Sequence, residues 1–320
     1  MLREKGWVTD MTAKRNLRAY KGMTIRNIKV YAKDKIALLL SMLTQIIVLG
    51  LFLLFLKNNY IDVINDRLGG LKDLLDRSDI EAIVNAWLIA GVVGTSVVTA
   101  ALNALSVMVH DKMERIDYDY SAAAVKGRTV VLAYFSGATL SAFITASILL
   151  TAGLIFLAVS GSFLYTVWEV LLLYAIVLLG SVSSTMVLML FVSFFKKDST
   201  LSAFGILVSV AIGFVVGAYM PVGQFSEKVQ TVVNLVPGSQ ITALLRNTLM
   251  QPAIDNADKI LNGADGHQFA ASLGDLFALK LNIFHNEVNI HFMVLYSLAA
   301  IAVFTVLNIA LFRLSSKRKD

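Results

Sequence analysis

The sequence predicts an all-α, polytopic membrane protein with six transmembrane helices, and three observations lead to that fold class. Hydrophobic residues make up 57% of the chain and charged residues 16%, with only three prolines in 320 residues. Soluble domains average about 25% charged residues, and a soluble fold of this composition would leave large apolar areas facing water. Several apolar runs instead reach the roughly 20 residues that a helix needs to cross a bilayer.

The first predicted element is an N-terminal amphipathic helix within residues 1–35. Its apolar positions recur at spacings of three and four, and they are Leu17, Tyr20, Thr24, Ile28 and Tyr31. Such a stripe with a basic opposite face is typical of a helix that lies in the membrane interface, with its cations near the anionic leaflet. The alternative interpretation is a solvated basic flank that only fixes the topology.

The six predicted spans follow as apolar runs, at about residues 36–56, 83–109, 130–159, 163–195, 201–220 and 292–312. The first run is too long for the apolar region of a signal peptide and lies after 35 residues, so we expect a retained helix. The third and fourth runs exceed the roughly 17–25 residues that a bilayer requires, and their helices must tilt or project beyond it.

Residues 221–291 separate spans five and six and contain no apolar run of span length. They predict an outer loop with short helices, broken at Pro221 and at Pro237–Gly238. A softer stretch rich in Gly, Asp and Asn follows at 251–268. Residues 1–320 are thus predicted to form a single transmembrane domain that ends with span six and a basic tail at 292–320.

The distribution of lysine and arginine predicts the orientation. Of the 28 lysines and arginines, 20 flank the spans on the side that carries both termini, residues 110–129 and the turn at 196–200. The cytoplasmic side of a membrane protein carries this excess. Both termini are therefore predicted to be cytoplasmic. The net charge of +6 follows from this distribution, and we predict no nucleic-acid partner.

The motif content excludes several enzyme classes. The chain has no cysteine, and it lacks the GxxxxGK[ST], GxGxxG, GxSxG and HExxH patterns that bind nucleotides, supply a serine nucleophile or bind zinc. We therefore predict no catalytic residue and no cofactor on this chain. His285 and His291 flank Glu287, but polar loop residues are the default interpretation over a weak metal site, and no metal is predicted.

Few charged residues lie inside the predicted spans. Gln45, Asn103 and Asn308 are candidates for interhelical hydrogen bonds or for substrate contacts. Glu169 lies near one end of span four beside aromatic residues, where it is either a headgroup-level carboxylate or a ligand for a substrate or cation. Gln45, Asn103 and Glu169 are thus the candidates for the substrate path or the interface. Because ionisable groups are nearly absent from the spans, coupling to an ion gradient is disfavoured.

The most unusual stretch is HDKMERIDYDYSAAAVKGRT, residues 110–129, between spans two and three. Four acids and four bases share it, namely Asp111, Glu114, Asp117, Asp119, Lys112, Arg115, Lys126 and Arg128. Mixed charge of this kind suits docking to a partner, because complementary charge fixes the register of an interface. A solvated loop with topogenic lysines explains the same residues equally well.

Four features together resemble the membrane-spanning subunits of ABC-2 type exporters over essentially the whole chain. They are the basic helix that leads into span one at 15–55, the charged segment that leads into span three at 110–135, the very short turn at 160–162, and the Pro-containing segment at 234–250 with the pair Leu245–Arg246. The family often has a Ser/Thr-Pro pair where this chain reads Ser121 to Ala124. The resemblance therefore does not fix the boundaries of a coupling helix.

The resemblance implies a plasma-membrane protein, of the bacterial type, that works as a homo- or heterodimer with two cytosolic ABC ATPase subunits, which bind ATP and Mg²⁺. It implies that the segment at 110–129 docks on the ATPase, with a second contact at Lys196, Lys197 and Asp198. The expected substrate is a drug, an antimicrobial peptide or a lipid- or glycan-type amphiphile. Two other functions compete with this one. They are a non-transporting scaffold or immunity protein and, less favoured, an ion-coupled secondary transporter.

Overall fold

The computed structural model describes residues 2–123, 125–266, 268–284 and 286–317, and the side chains of 2–13, 312–317 and a few other positions lie outside that description. Within the described part of the chain, six helical segments are long and apolar enough to cross a membrane: Gln45–Leu74, Arg77–Met113, Gly127–Val159, Val167–Val192, Asp198–Val215 and Ile290–Leu311. The prediction of an α-helical chain with six such helices is confirmed.

The first half of the chain forms eight helices in the described residues. They are α1 (Leu2–Lys33), α2 (Lys35–Leu51), α3 (Lys57–Leu68), α4 (Arg77–Ala104), α5 (Ser106–Met113), α6 (Ile116–Ala122), α7 (Gly127–Val159) and α8 (Val167–Val192). A π-helical turn at Phe52–Leu56 joins α2 to α3 without a break, so the first helical run extends beyond the predicted end at residue 56. The fourth begins at Val167, four residues after the predicted start, because an extended stretch at 162–166 precedes it.

The second half contains α9 (Asp198–Val215), α10 (Glu227–Asn234), α11 (Pro237–Leu261), α12 (Gln268–Leu276) and α13 (Ile290–Lys317), with a short hairpin of β1 (Leu281–Ile283) and β2 (Asn286–Val288) before α13. The hairpin is an addition to the predicted all-α fold. Helix α9 ends five residues before the predicted limit at 220. The reason is Gly217, whose φ of +68° reverses the chain in a conformation that favours glycine.

Helix α4 is the centre of the bundle. In the most apolar window of Arg77–Met113, which holds α4, 89% of the residues are buried, against 17% for Gln45–Leu74 and for α9 and 11% for Ile290–Leu311. Helices α7, α8 and α11 pack around α4, while α2 and α9 each contact it along one edge. We name the end of the bundle that carries Lys112, Arg115, Lys126, Lys196 and Lys197 the basic end, and the other end the opposite end.

Residues 221–291 contain the predicted short helices, α10 and α12, but between them lies one long helix, α11. It runs for 25 residues, continues through Pro252, and buries nearly all of its first half. Its first turns reach the middle of the bundle, because Thr242 lies against Gly94 of α4 and Ile241 lies against Gly180 near the midpoint of α8. The outer-loop interpretation is therefore wrong for this segment, which enters the bundle and returns to the opposite end.

A fully buried arginine fastens α11 to two other helices. The guanidinium of Arg246 donates hydrogen bonds to the carbonyl of Val216, directly after α9, and to that of Phe277, directly after α12, at 3.4 Å for the latter. The last carbonyls of a helix lack partners within the helix and carry the negative end of its dipole. Arg246 thus stabilises two helix C-termini with one cation inside the bundle.

Candidate functional site

The candidate site begins with one polar stripe on the central helices α4 and α5. Its members are Thr95, Thr99, Asn103, Ser106 and His110. Successive members are four, four, three and four residues apart, and this spacing places them on a single helix face. Asn103 and His110 are exposed, and Thr99 and Ser106 are half-buried, while their neighbours along the chain are mostly buried. This set is called the polar stripe below.

The polar stripe lies between α2 and α9. On one side, the Gln45 side chain of α2 accepts a hydrogen bond from Thr95 Oγ1 at 2.9 Å and donates one to Thr99 Oγ1 at 3.4 Å. On the other side, Gly205 of α9 lies against Leu102, and Asp198 at the start of α9 lies 3.6 Å from Nδ1 of His110.

Helix α9 adds small polar groups beside the stripe. Ser202 and Ser209 lie at i−3 and i+4 from Gly205 and therefore share its side of the helix. The residues on the next side of α9, among them Val208 and Ala211, line a separate apolar cavity of about 210 Å³ between α8 and α9. The polar side of α9 is thus the side next to α4.

An exposed amide at this depth does not suit a lipid-facing surface. Asn103 lies ten residues before Met113, the end of the apolar helical segment, which is about 15 Å along a helix. Hydrocarbon offers no hydrogen-bond partners, and an unsatisfied polar group costs several kcal/mol there. The polar stripe is therefore suited to face a water-containing path or a second protein subunit.

The polar stripe is closed towards the opposite end. One turn beyond Thr95, Gly91 approaches the loop after α9 so closely that an added Cβ would lie 2.9 Å from the Cα of Ala218. The ring of Tyr219 packs on Gly213 and meets Phe214 edge to face at a centroid distance of 5.2 Å. At the basic end, by contrast, 51% of the His110 side chain is exposed.

At the basic end, a buried ion pair joins α1 to the bundle. Both guanidinium NH groups of Arg26 donate to the carboxylate of Asp111, and Tyr134 Oη of α7 donates to the same carboxylate at 2.6 Å. Asp111 has no exposed side-chain surface, whereas Arg26 keeps 32%. These hydrogen bonds to Asp111 raise the pKa of Arg26 above its ordinary value.

Further contacts fix α1 along α7. Tyr20 hydrogen-bonds to Ser136 at 2.7 Å, and Thr24 and Asn27 pack against Gly137. Among the predicted stripe positions, Thr24 and Tyr31 are buried, Tyr20 and Ile28 are half-buried, and Leu17 is 67% exposed. The predicted apolar face thus serves from Tyr20 onward as the packing face of α1.

The charged segment at 110–129 divides into buried and exposed residues. Asp111 is engaged in the interior, and Lys112 Nζ donates to the carbonyl of Ser193 at 2.7 Å, beside the turn before α9. Arg115 adopts a left-handed φ of 59°, which turns the chain from α5 into α6. The exposed side chains around this turn, which we name the turn surface, are Met113, Glu114, Arg115, Tyr118 and Asp119.

The other predicted residues take different positions. Lys126 and Arg128 are exposed at the start of α7, Lys196 and Lys197 are exposed in the turn before α9, and Asp198 pairs with His110. The side chain of Asp117, all of Ala124 and all of His285 lie outside the described residues. The interpretation of Asp111 as a docking residue needs correction, because its carboxylate is buried beneath Arg26.

Two predicted polar residues have structural partners away from the polar stripe. Glu169 accepts hydrogen bonds from the backbone N–H and the hydroxyl of Thr166 at 2.7 and 2.8 Å, and so closes a capping box at the start of α8. Asn308 of α13 donates to the carbonyl of Met186 in α8 at 3.0 Å. Of the three path candidates, Gln45 contacts the polar stripe and Asn103 belongs to it, whereas Glu169 lies at the opposite end.

Sequence reasoning missed the rest of the polar stripe. Thr95, Thr99, Ser106 and His110 are ordinary residues singly, and only their spacing with Asn103 marks them as one face. That signal is present in the sequence. No cluster of three or more potential metal ligands occurs among the described residues.

Comparison with known proteins gave no relative: no protein-family model matches the chain, and no curated protein matches it.

Proposed function

We propose that the chain is the membrane-spanning subunit of an ATP-binding cassette exporter, which forms its translocation path as a dimer and is driven by separate cytosolic ATPase subunits. The observation that carries this proposal is that the polar stripe runs along α4–α5 and that the turn surface follows directly where α5 ends, in the turn into α6. The stripe supplies a path for polar groups, and the turn surface supplies a docking site at the end of the same helices.

The path requires a second subunit. Helices α2 and α9 flank the polar stripe, and the helical run Gln45–Leu74 and α9 are each only 17% buried in their most apolar window. A second copy, or a similar subunit, placed against them encloses the stripe and removes it from lipid. The closed contact of Gly91 with Ala218 then blocks the path at the opposite end, while His110 remains accessible at the basic end.

Coupling enters at the basic end, which we assign to the cytoplasm. The excess of lysine and arginine supports this orientation, with both termini on the same side in the plasma membrane. We assign partner contacts to the turn surface, to Lys126 and Arg128, and to Lys196 and Lys197, which are all exposed. Asp111 acts instead as the anchor of α1, so that α1, α4 and α7 move as one body.

Copurification with an ATPase subunit tests this proposal. The tagged chain is purified from its native membrane with any P-loop ATPase that copurifies, and ATP hydrolysis is measured after the charge reversal Glu114→Arg combined with Arg115→Glu. We expect assembly or stimulated hydrolysis to fall about tenfold or more, because like charges placed at a docking interface cost several kcal/mol. The matched control is Lys228→Glu, an exposed reversal at the opposite end.

Two results contradict the proposal. One is the absence of any associated ATPase. The other is equal hydrolysis in the turn-surface variant and the control.

A further inference from the structure

We propose that the polar stripe selects amphiphiles whose polar part is uncharged and carries hydroxyl, ether or amide groups, such as alkyl glycosides, over amphiphilic cations and anions. This inference rests on the proposed function, since it requires the stripe to line a path. It names the chemical class of the substrate within that path.

The first argument is the set of hydrogen-bonding groups. Asn103 and Ser106 present an amide and a hydroxyl along the stripe, and Ser202 and Ser209 lie on the adjoining side of α9. The Thr99 hydroxyl is already engaged by Gln45 and by carbonyls of its own helix. Hydroxyls and amides both donate and accept hydrogen bonds. A sugar or an amide therefore finds partners of either kind beside Asn103 and Ser106, in place of the water that it leaves.

The second argument is the absence of charge in the sequence around the stripe. No Asp, Glu, Lys, Arg or His occurs in residues 36–56 of the first helical run, in 82–109 of α4–α5, or in 199–226 of α9 and the loop after it. An ion that leaves water without a counter-ion pays a desolvation penalty that hydrogen bonds alone do not offset. A charged headgroup is therefore disfavoured along the whole stripe.

The third argument is the position of the nearest ionisable pair. His110 and Asp198 lie 3.6 Å apart at the basic end, where about half of each side chain is exposed. Asp198 and the exposed lysines of the basic end, such as Lys196 and Lys197, place both signs of charge there, so this end does not exclude ions of either sign. Selection by charge must then occur deeper in the stripe, beside Asn103.

The test uses the absence of native cysteine. A single cysteine in place of Ser106 is labelled by a charged, water-soluble maleimide in the full chain reconstituted in lipid nanodiscs. Octyl glucoside and octyltrimethylammonium, each below the concentration that disrupts the bilayer, are compared for protection of this cysteine. Leu102→Cys serves as the matched control, because Leu102 is buried against α9, only four residues away.

We expect the cysteine at 106 to react and the cysteine at 102 to remain unlabelled. Octyl glucoside should protect at a concentration at least tenfold lower than octyltrimethylammonium. Adding Asn103→Asp should reverse the order of the two probes, because the new carboxylate supplies the missing counter-ion. Adding Asn103→Leu should weaken protection by the glucoside without improving that by the cation.

The outcomes separate the two proposals. If the cysteine at 106 reacts, but the cation protects as well as the glucoside or Asn103→Asp changes nothing, the substrate class is wrong and the water-accessible path stands. If cysteines at 103 and 106 both fail to react while a cysteine at 110 does, the stripe is not a path, and the proposed function fails with it.

Discussion

The buried ion pair between Arg26 and Asp111 provides the sharpest test of how α1 is held. Replacing Arg26 by alanine leaves a carboxylate with no exposed side-chain surface and with Tyr134 as its remaining donor among the contacts described above. Replacing Asp111 by asparagine leaves a guanidinium that is 32% exposed and can reach water. The two variants break the same pair, but they leave behind groups in different surroundings.

The structure gives different magnitudes for the two changes. Removing one partner of a buried pair costs about 3–5 kcal/mol when a buried charge is left behind. Since water reaches part of the gap that Arg26 leaves, we expect Arg26→Ala to lower the free energy of unfolding by about 3 kcal/mol. Asp111→Asn leaves the exposed partner and keeps the side-chain shape, so about 1–2 kcal/mol is expected. Arg26→Lys should fall between them, because an ammonium cannot make the two parallel hydrogen bonds.

Thermal unfolding of the purified chain, together with trypsin cleavage after Lys29 and Lys33, measures these changes. The order of unfolding temperatures should be wild type, Asp111→Asn, Arg26→Lys and then Arg26→Ala. Cleavage within α1 should accelerate in the same order as α1 detaches. Lys29→Arg is the control, since Lys29 is exposed on the same helix and arginine keeps the trypsin site. An Arg26→Ala variant as stable as this control would refute the anchoring role.

Three further predictions concern the opposite end. Gly91→Ala should lower the free energy of unfolding by about 1–3 kcal/mol, because the added Cβ would lie 2.9 Å from the backbone Cα of Ala218 and overpacking costs about that much. Thermal unfolding measures this change, and an unfolding temperature equal to wild type argues against the close contact that shuts this end. Arg246→Met should lower the free energy of unfolding by about 2–4 kcal/mol, because two buried carbonyls lose their donor. Arg246→Lys should recover only part of this loss. An unfolding temperature of Arg246→Met equal to that of the wild type contradicts the capping role. Thr166→Ala should lower the free energy of unfolding by about 1 kcal/mol, because a helix cap is lost. A loss of transport at an unchanged unfolding temperature would instead assign this capping box to the path.

The six long helices could be predicted because hydrophobicity over 20 residues is a local signal. Helix α11 could not be predicted as one long helix, since Pro237, Gly238 and Pro252 all indicate loops when considered alone. Its helical state depends on burial between α4 and α8, and no local window of sequence contains that information. The end of α9 at Val215 likewise depends on the reversal at Gly217, which lies among apolar residues that resemble a continuing span.

The candidate site was predictable only in part. Asn103 and Gln45 stood out as polar residues in apolar runs, and the structure brings both to the polar stripe. Asp111 was grouped with its charged neighbours, because its partner Arg26 lies 85 positions earlier in the chain. Charge alone cannot distinguish a buried pair from a docking residue. The spacing of the polar stripe was readable in advance, since helical periodicity is a property of the sequence.

The double capping by Arg246 has a consequence for how the protein is made. Arginine at the centre of a helix opposes its own insertion into lipid, so α11 cannot be placed by the hydrophobicity of its sequence. Its two acceptors are the carbonyl of Val216, synthesised earlier, and that of Phe277, synthesised 31 residues later. This half of the bundle therefore remains unfinished until the chain beyond residue 277 has left the ribosome and the translocon, and α11 enters as a late step of biogenesis.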